Sequence, residues 1–178
     1  MRSITLITTG GTIEKTYDEA SGLLTNRGSI LRRMLRRLRL EETTIRTIEL
    51  MSKDSLAMTD DDRARVVEAV HVAGGGSGGG AGATDTTGIV ILHGTDTLAT
   101  TGERLEREVS PPRVPIVLTG AMRPFEMTRS DALQNLTEAV FAVGVLPAGV
   151  YCVSHGRALR FPGVRKDRER GTFVKSGA

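Results

Sequence analysis

At 178 residues the chain has room for one domain with a substantial core and too little for two. Hydrophobic residues make up 39% and charged residues 25%, which excludes disordered and fibrous classes. A net charge of +3 does not by itself argue for a nucleic-acid partner, and no apolar run reaches membrane-spanning length. There is no Trp and aromatics are 3%, so the core must be built from Val, Ile, Leu and Ala. That composition suits parallel strands covered by helices. Cys152 is the single cysteine, so no intramolecular disulfide forms; with no secretory leader pattern after Met1, a reducing cytoplasm is the expected compartment.

The apolar, β-branched run Ile4-Thr5-Leu6-Ile7 predicts a buried strand over 3–9, which breaks into Thr8-Thr9-Gly10-Gly11-Thr12-Ile13. A helix is expected over 28–40 and a strand over 44–50. Thr59 followed by Asp60, Asp61 and Asp62 opens a helix over 59–73, the acids favouring the positive end of its dipole. Ile89-Val90-Ile91-Leu92 predicts a strand over 88–93, ending in His93-Gly94-Thr95-Asp96-Thr97-Leu98. A helix over 97–108, a strand over 114–119, a helix over 129–143 and a strand over 148–154 complete the pattern. Strands and helices alternate, which predicts an α/β fold: an open, mainly parallel, doubly wound sheet of the Rossmann/flavodoxin type, helices on both faces, in one domain over 1–178.

The glycine-rich stretch 74–83 lacks a following Lys-Ser/Thr and leads into a strand, so it reads as a flexible surface loop and not a phosphate cradle. Arg32, Arg33, Arg36, Arg37 and Arg39 interleave with Ile30, Leu31, Met34, Leu35 and Leu38 at helical spacing. They read as the solvated flank of an amphipathic helix, not a nucleic-acid or membrane face.

Chemistry concentrates at two strand ends. The pair Gly10-Gly11 lets backbone approach a ligand closely, and Thr12 then offers a hydroxyl, although Gly-Gly-Thr alone is equally a tight turn. Thr95 and Asp96 supply a second hydroxyl beside a carboxylate. A threonine hydroxyl needs a base or a strong local field before it attacks anything. Lys166, in the loop expected after the last strand, is a candidate for that role and equally an exposed loop lysine. His93 is catalytic or a hydrogen-bonded structural residue on equal terms. The three histidines, His71, His93 and His155, lie far apart without ligand spacing, so no metal is expected.

Thr9-Gly10-Gly11-Thr12-Ile13 and His93-Gly94-Thr95-Asp96-Thr97, in this order, resemble the two signatures of the bacterial-type L-asparaginase/glutaminase family. The resemblance extends through Met51-Ser52-Lys53-Asp54-Ser55, Leu118 to Pro124, and Ser130-Asp131-Ala132 to Leu136. It implies cofactor-free hydrolysis of a side-chain amide to a carboxylate and ammonia. Thr12 resembles the nucleophile; Thr95, Asp96 and Lys166 the second catalytic group; Tyr17 the lid tyrosine. Gly11, Ser52, Lys53, Thr95, Asp96 and Ala121 would line the amino-acid substrate, Ser52 taking its α-carboxylate and Asp96 its α-amino group. The amides of Thr95 and Ala121 would be the oxyanion donors.

Lys53 stands where the family commonly has glutamine, which leaves the preference between asparagine and glutamine open. Family enzymes usually carry a C-terminal domain that completes a neighbour's active site. This chain ends about where that domain would begin, so the resemblance implies a short form completed by a homo-oligomer, a dimer or tetramer. Two alternatives to free-asparagine hydrolysis follow: an amidase acting within a larger amidotransferase complex, and a non-catalytic asparagine or aspartate sensor. Stable copurification of a partner would favour the first, and binding without ammonia release the second.

Overall fold

The computed structural model describes residues 1–76 and 85–176. Its central sheet contains β1 (Arg2–Gly10), β4 (Thr43–Lys53), β5 (Gly88–Leu92), β6 (Pro115–Thr119) and β7 (Gly149–Ser154). These are the five expected strands, paired in parallel in the order β4-β1-β5-β6-β7. A strand not foreseen, β8 (Arg157–Arg160), turns back antiparallel along β7.

The strands are apolar on both faces because both are covered. Ile7, Ile89, Ile91, Ile116, Leu118, Val150 and Cys152 pack with Val66 and Val70 of α2 (Asp60–Val72) and Leu98 and Leu105 of α3 (Leu98–Glu108). Their neighbours Leu6, Val90, Leu92, Val117, Tyr151 and Val153 face the other way, onto Leu31 and Met34 of α1 (Leu31–Leu35) and Leu136 and Val140 of α4 (Ala132–Ala142). Each large aliphatic side chain so buried contributes about 1.5–3 kcal/mol. Cys152 is among them, and burial pushes its thiol up to about 12, so it is an inert core residue.

The start of α2 forms as its sequence predicts: the Asp62 N–H donates to the Thr59 hydroxyl and the Asp62 carboxylate accepts from the Thr59 N–H. Two helices depart from expectation. The run at 28–40 yields only five helical residues, after which Arg37 and Leu38 close i→i−3 turns. Arg32–Arg36 and Arg33–Arg37 would stack like charges at i,i+4, and the chain must straighten to enter β4. All five arginines of this run are exposed. The helix expected from 129 begins at Ala132, because Ser130 donates its hydroxyl to the Arg123 carbonyl and Arg129 takes a left-handed φ of 60°.

Two hairpins also lie outside the sequence expectation: β2 (Thr16–Asp18) with β3 (Leu23–Thr25), and β9 (Val164–Asp167) with β10 (Thr172–Lys175). The glycine-rich stretch lies outside the described residues from position 77 onward. Among the parallel strands the order is second, first, third, fourth, fifth, so the direction of winding reverses between β1 and β5. The crevice beyond the carboxyl ends of those two strands is where open α/β sheets bind ligands.

Candidate active site

Gly10 and Gly11 leave β1 with φ of 96° and 78°, a region L side chains rarely adopt. A Cβ on Gly11 would lie 2.3 Å from the Gly94 Cα and 2.4 Å from its nitrogen. The two backbones are therefore in direct contact, and this contact brings the residues that follow them, Thr12 and Thr95, to the same crevice. The Gly11 N–H donates to the Lys53 carbonyl (2.8 Å) and its own carbonyl accepts from Asn26 Nδ2 (2.9 Å). Thr12 then opens a 3-10 turn over Thr12–Glu14. Gly11→Ala combines a strained φ with a backbone clash, so it should destabilise the fold by about 2 kcal/mol or more, read as a Tm lowered by roughly 5 °C. An unchanged Tm would mean that the two strand ends are not in contact.

Across the crevice, His93 is fully buried, and its Nδ1 lies 2.9 Å from the Gly94 carbonyl and its Nε2 2.9 Å from the Thr101 hydroxyl. Burial holds its imidazole down at about 4, so the ring is neutral. Its Nδ1–H must donate to the carbonyl, and Nε2 accepts from Thr101. Both nitrogens are occupied, which makes His93 a structural residue.

Thr95 is 4% exposed and its Oγ1 accepts from Lys166 Nζ at 2.7 Å; the same ammonium donates to Asp96 Oδ1 at 3.0 Å. Lys166 thus projects into the site from β9, not from a loop. Arg168, which sequence reasoning passed over, places a guanidinium nitrogen 3.0 Å from the same Asp96 oxygen. Arg168 lies in the turn just after β9, where no strand periodicity in the sequence announces its direction.

The end of β4 and the turn that follows it carry Ser52, Lys53 and Ser55. Lys53 turns its ammonium to Asp62 at the start of α2, 2.8 Å from each carboxylate oxygen, and holds that carboxyl down to about 2. Its backbone packs against Gly10, and its carbonyl accepts from the Gly11 N–H. The Ser52 hydroxyl is buried with no hydrogen-bond partner among the described residues. Ser55 instead packs on the signature loop: a Cβ on Gly94 would lie 2.6 Å from its Oγ, and Thr97 donates its hydroxyl to the Ser55 carbonyl at 2.9 Å. Beside it, Lys15 and Asp54 form an ion pair at 2.7 Å.

Ala121 is buried, and the preceding Gly120 packs so closely that a Cβ there would meet the His93 carbonyl at 2.3 Å and Thr95 Cγ2 at 3.1 Å. Tyr17 sits on β2 with 59% exposure, its N–H donating to Glu126 and its side chain toward Gly22. Among the described residues no group of three His, Cys, Asp or Glu side chains could hold a metal ion.

These strand ends converge on a pattern that known proteins share: the family described as "Asparaginase, N-terminal" matches residues 3–172. The chain belongs to the asparaginase family. It is 37% identical over 108 residues to an L-asparaginase of Thermococcus kodakarensis, covering 60% of this chain and 30% of that one. It is also 30% identical over 159 residues to a glutamyl-tRNA(Gln) amidotransferase subunit of Haloquadratum walsbyi, covering 86% and 33%. L-asparaginase I of Vibrio cholerae superposes with a TM-score of 0.80 at 24% identity, covering 98% of this chain and 51% of that one, which establishes the fold. This asparaginase-family chain therefore spans a third or less of those curated relatives and about half of that solved structure. No helix is long and apolar enough to cross a membrane among the described residues.

Proposed function

We propose that the chain is an amidohydrolase releasing ammonia and L-aspartate from L-asparagine, with no cofactor. The observation that carries this reading is the placement of Lys166, from the far end of the sequence, on both Thr95 and Asp96 at the strand end that Gly11 packs against. In this reading Thr12 Oγ1 bonds to the amide carbon and passes its proton to the departing nitrogen. The C–N bond breaks and ammonia leaves. Water then adds to the threonine ester and restores the Thr12 hydroxyl. Because Lys166 donates into its oxygen, Thr95 is free to turn its own hydroxyl proton toward the reacting centre and relay it. The amides of Thr95 and Ala121 face the oxyanion, an effect worth about 3–4 kcal/mol when one is lost. Tyr17 belongs to the lid, on the exposed hairpin.

The α-carboxylate belongs on the Ser55 hydroxyl in place of Ser52, since Ser55 is the serine packed on Gly94 and Lys53 is engaged by Asp62. Asp96 takes the α-ammonium, which must compete with Arg168 for the carboxylate. Arg168 is 70% exposed, and an ion pair that open is worth at most about 1 kcal/mol. Arg168→Ala should therefore lower KM for L-asparagine a few-fold and leave kcat unchanged; a raised KM would place the guanidinium on the substrate instead.

The test is ammonia release by the purified protein from L-asparagine, L-glutamine and D-asparagine, with oligomeric state measured by sedimentation, a dimer or tetramer being expected. The similarity to amidotransferase subunits favours a second reading, in which the same chemistry feeds ammonia to a partner enzyme. A protein inert toward free asparagine that copurifies with a partner would favour it. Asparagine binding without turnover would instead make the site a sensor. The free, buried Cys152 fits a reducing compartment, and we place the enzyme in the cytoplasm.

A further inference from the structure

His155 occupies an unusual position for its residue type. It is the first of two turn residues between β7 and β8, with φ of 52° followed by Gly156 at 74°, a turn that Asn, Asp and Gly serve best. What distinguishes the histidine is its reach. Its Nε2 lies 2.8 Å from Asp131 Oδ2 and its Nδ1 3.2 Å from the Thr172 hydroxyl on β10, while its backbone N–H donates to Asn135 Oδ1.

Both groups on the α4 side of this bridge hold the loop that carries Ala121. The Asp131 carboxylate accepts from the N–H groups of Met122 and Arg123, and Asn135 Nδ2 donates to the Gly120 carbonyl at 2.8 Å. Burial alone would raise the Asp131 carboxyl, but the Met122 N–H, the His155 ring and the Arg123 N–H together keep it below its ordinary value. Asp131 is thus a carboxylate and accepts from His155 Nε2–H, while Nδ1 shares a hydrogen bond with the Thr172 hydroxyl. On the other side, Thr172 is the neighbour of Phe173, which pairs with Lys166 across the β9–β10 ladder. One imidazole therefore ties the Ala121 loop to β10, the hairpin partner of the strand that delivers Lys166.

We propose that His155 is a positioning residue for the amide hydrolysis argued above: through Asp131 and Thr172 it fixes the Ala121 amide relative to the Lys166–Thr95 pair, although it touches neither. The proposal rests on that reading, because it matters only if both groups act on one reacting centre. A misplacement of about 1 Å there costs roughly 100-fold in rate.

His155→Asn separates this role from turn formation, since asparagine suits the turn and is too short to bridge. We expect kcat to fall roughly 10- to 100-fold, with KM within about twofold and Tm not lowered. Thr172→Val should do the same, Thr172→Ser should restore the rate, and the double variant His155→Asn/Thr172→Val should be no slower than either single one. Wild-type kcat in both single variants would overturn the proposal, as would a rate loss matched by a fall in Tm. A wild-type protein inert toward all three amides would overturn the hydrolase reading and this proposal with it, so the two failures are read from different proteins.

Discussion

On the proposed reading, Thr12→Ala and Thr95→Val should each lower ammonia release from L-asparagine by roughly 1000-fold or more, while the folded protein should keep its circular dichroism spectrum and a Tm near wild type. Thr12 lies on the loop that Gly11 anchors, so removing its hydroxyl deletes the proposed attacking atom without touching the backbone contact that shapes the crevice. Valine preserves the shape of Thr95, a residue 4% exposed, but strips Lys166 of its 2.7 Å partner. Because the proposed reaction uses both hydroxyls, the double variant should be little slower than the single ones. Either variant turning over asparagine at the wild-type rate while folded would remove the assignment of roles.

Much of this site is legible in the sequence itself. Gly10-Gly11-Thr12 and His93-Gly94-Thr95-Asp96 each follow a continuous apolar run, and in a parallel sheet such runs end on the same edge. Lys166, equally an exposed loop lysine when read from the residues alone and brought in by the family resemblance, also lands there. What escapes is anything decided across the chain. Choosing Ser55 over Ser52 depends on which serine packs on Gly94, about forty residues away. The preference of Lys53 for Asp62 depends on a helix start that folds beneath it. The short hairpins β2–β3 and β9–β10 carry no alternating apolar pattern strong enough to read. The Thr172–His155–Asp131 bridge joins residues 41 positions apart (172 less 131), which no local spacing announces.

Glu14 should make the protein lose stability as pH rises toward neutrality. It lies two residues beyond Thr12, is 1% exposed, and its carboxyl accepts from the Gly10 N–H and the Ser29 hydroxyl. Burial dominates, raising it from an ordinary value of 4.5 to about 7. Hydrogen bonds from Ser29, Gly10 and Ile30 oppose that rise, and Glu49 on β4 adds like-charge repulsion. Below pH 4.5 the group is protonated in both folded and unfolded chains and costs nothing. Between there and about 7 the unfolded chain ionises while the folded one keeps its proton, so stability falls with rising pH. Above that range both are ionised and the full cost, about 3 kcal/mol for a shift of this size, persists. The carboxyls of Asp18, Asp54, Asp62 and Asp131 are held low and change stability in the opposite sense, but only in more acidic solution. Glu14→Gln keeps an oxygen for the Gly10 N–H and cannot ionise. Urea unfolding between about pH 4.5 and 8 should show wild type losing stability relative to this variant across the window. Parallel curves for the two proteins would mean that the carboxyl beside the Thr12 loop is not buried.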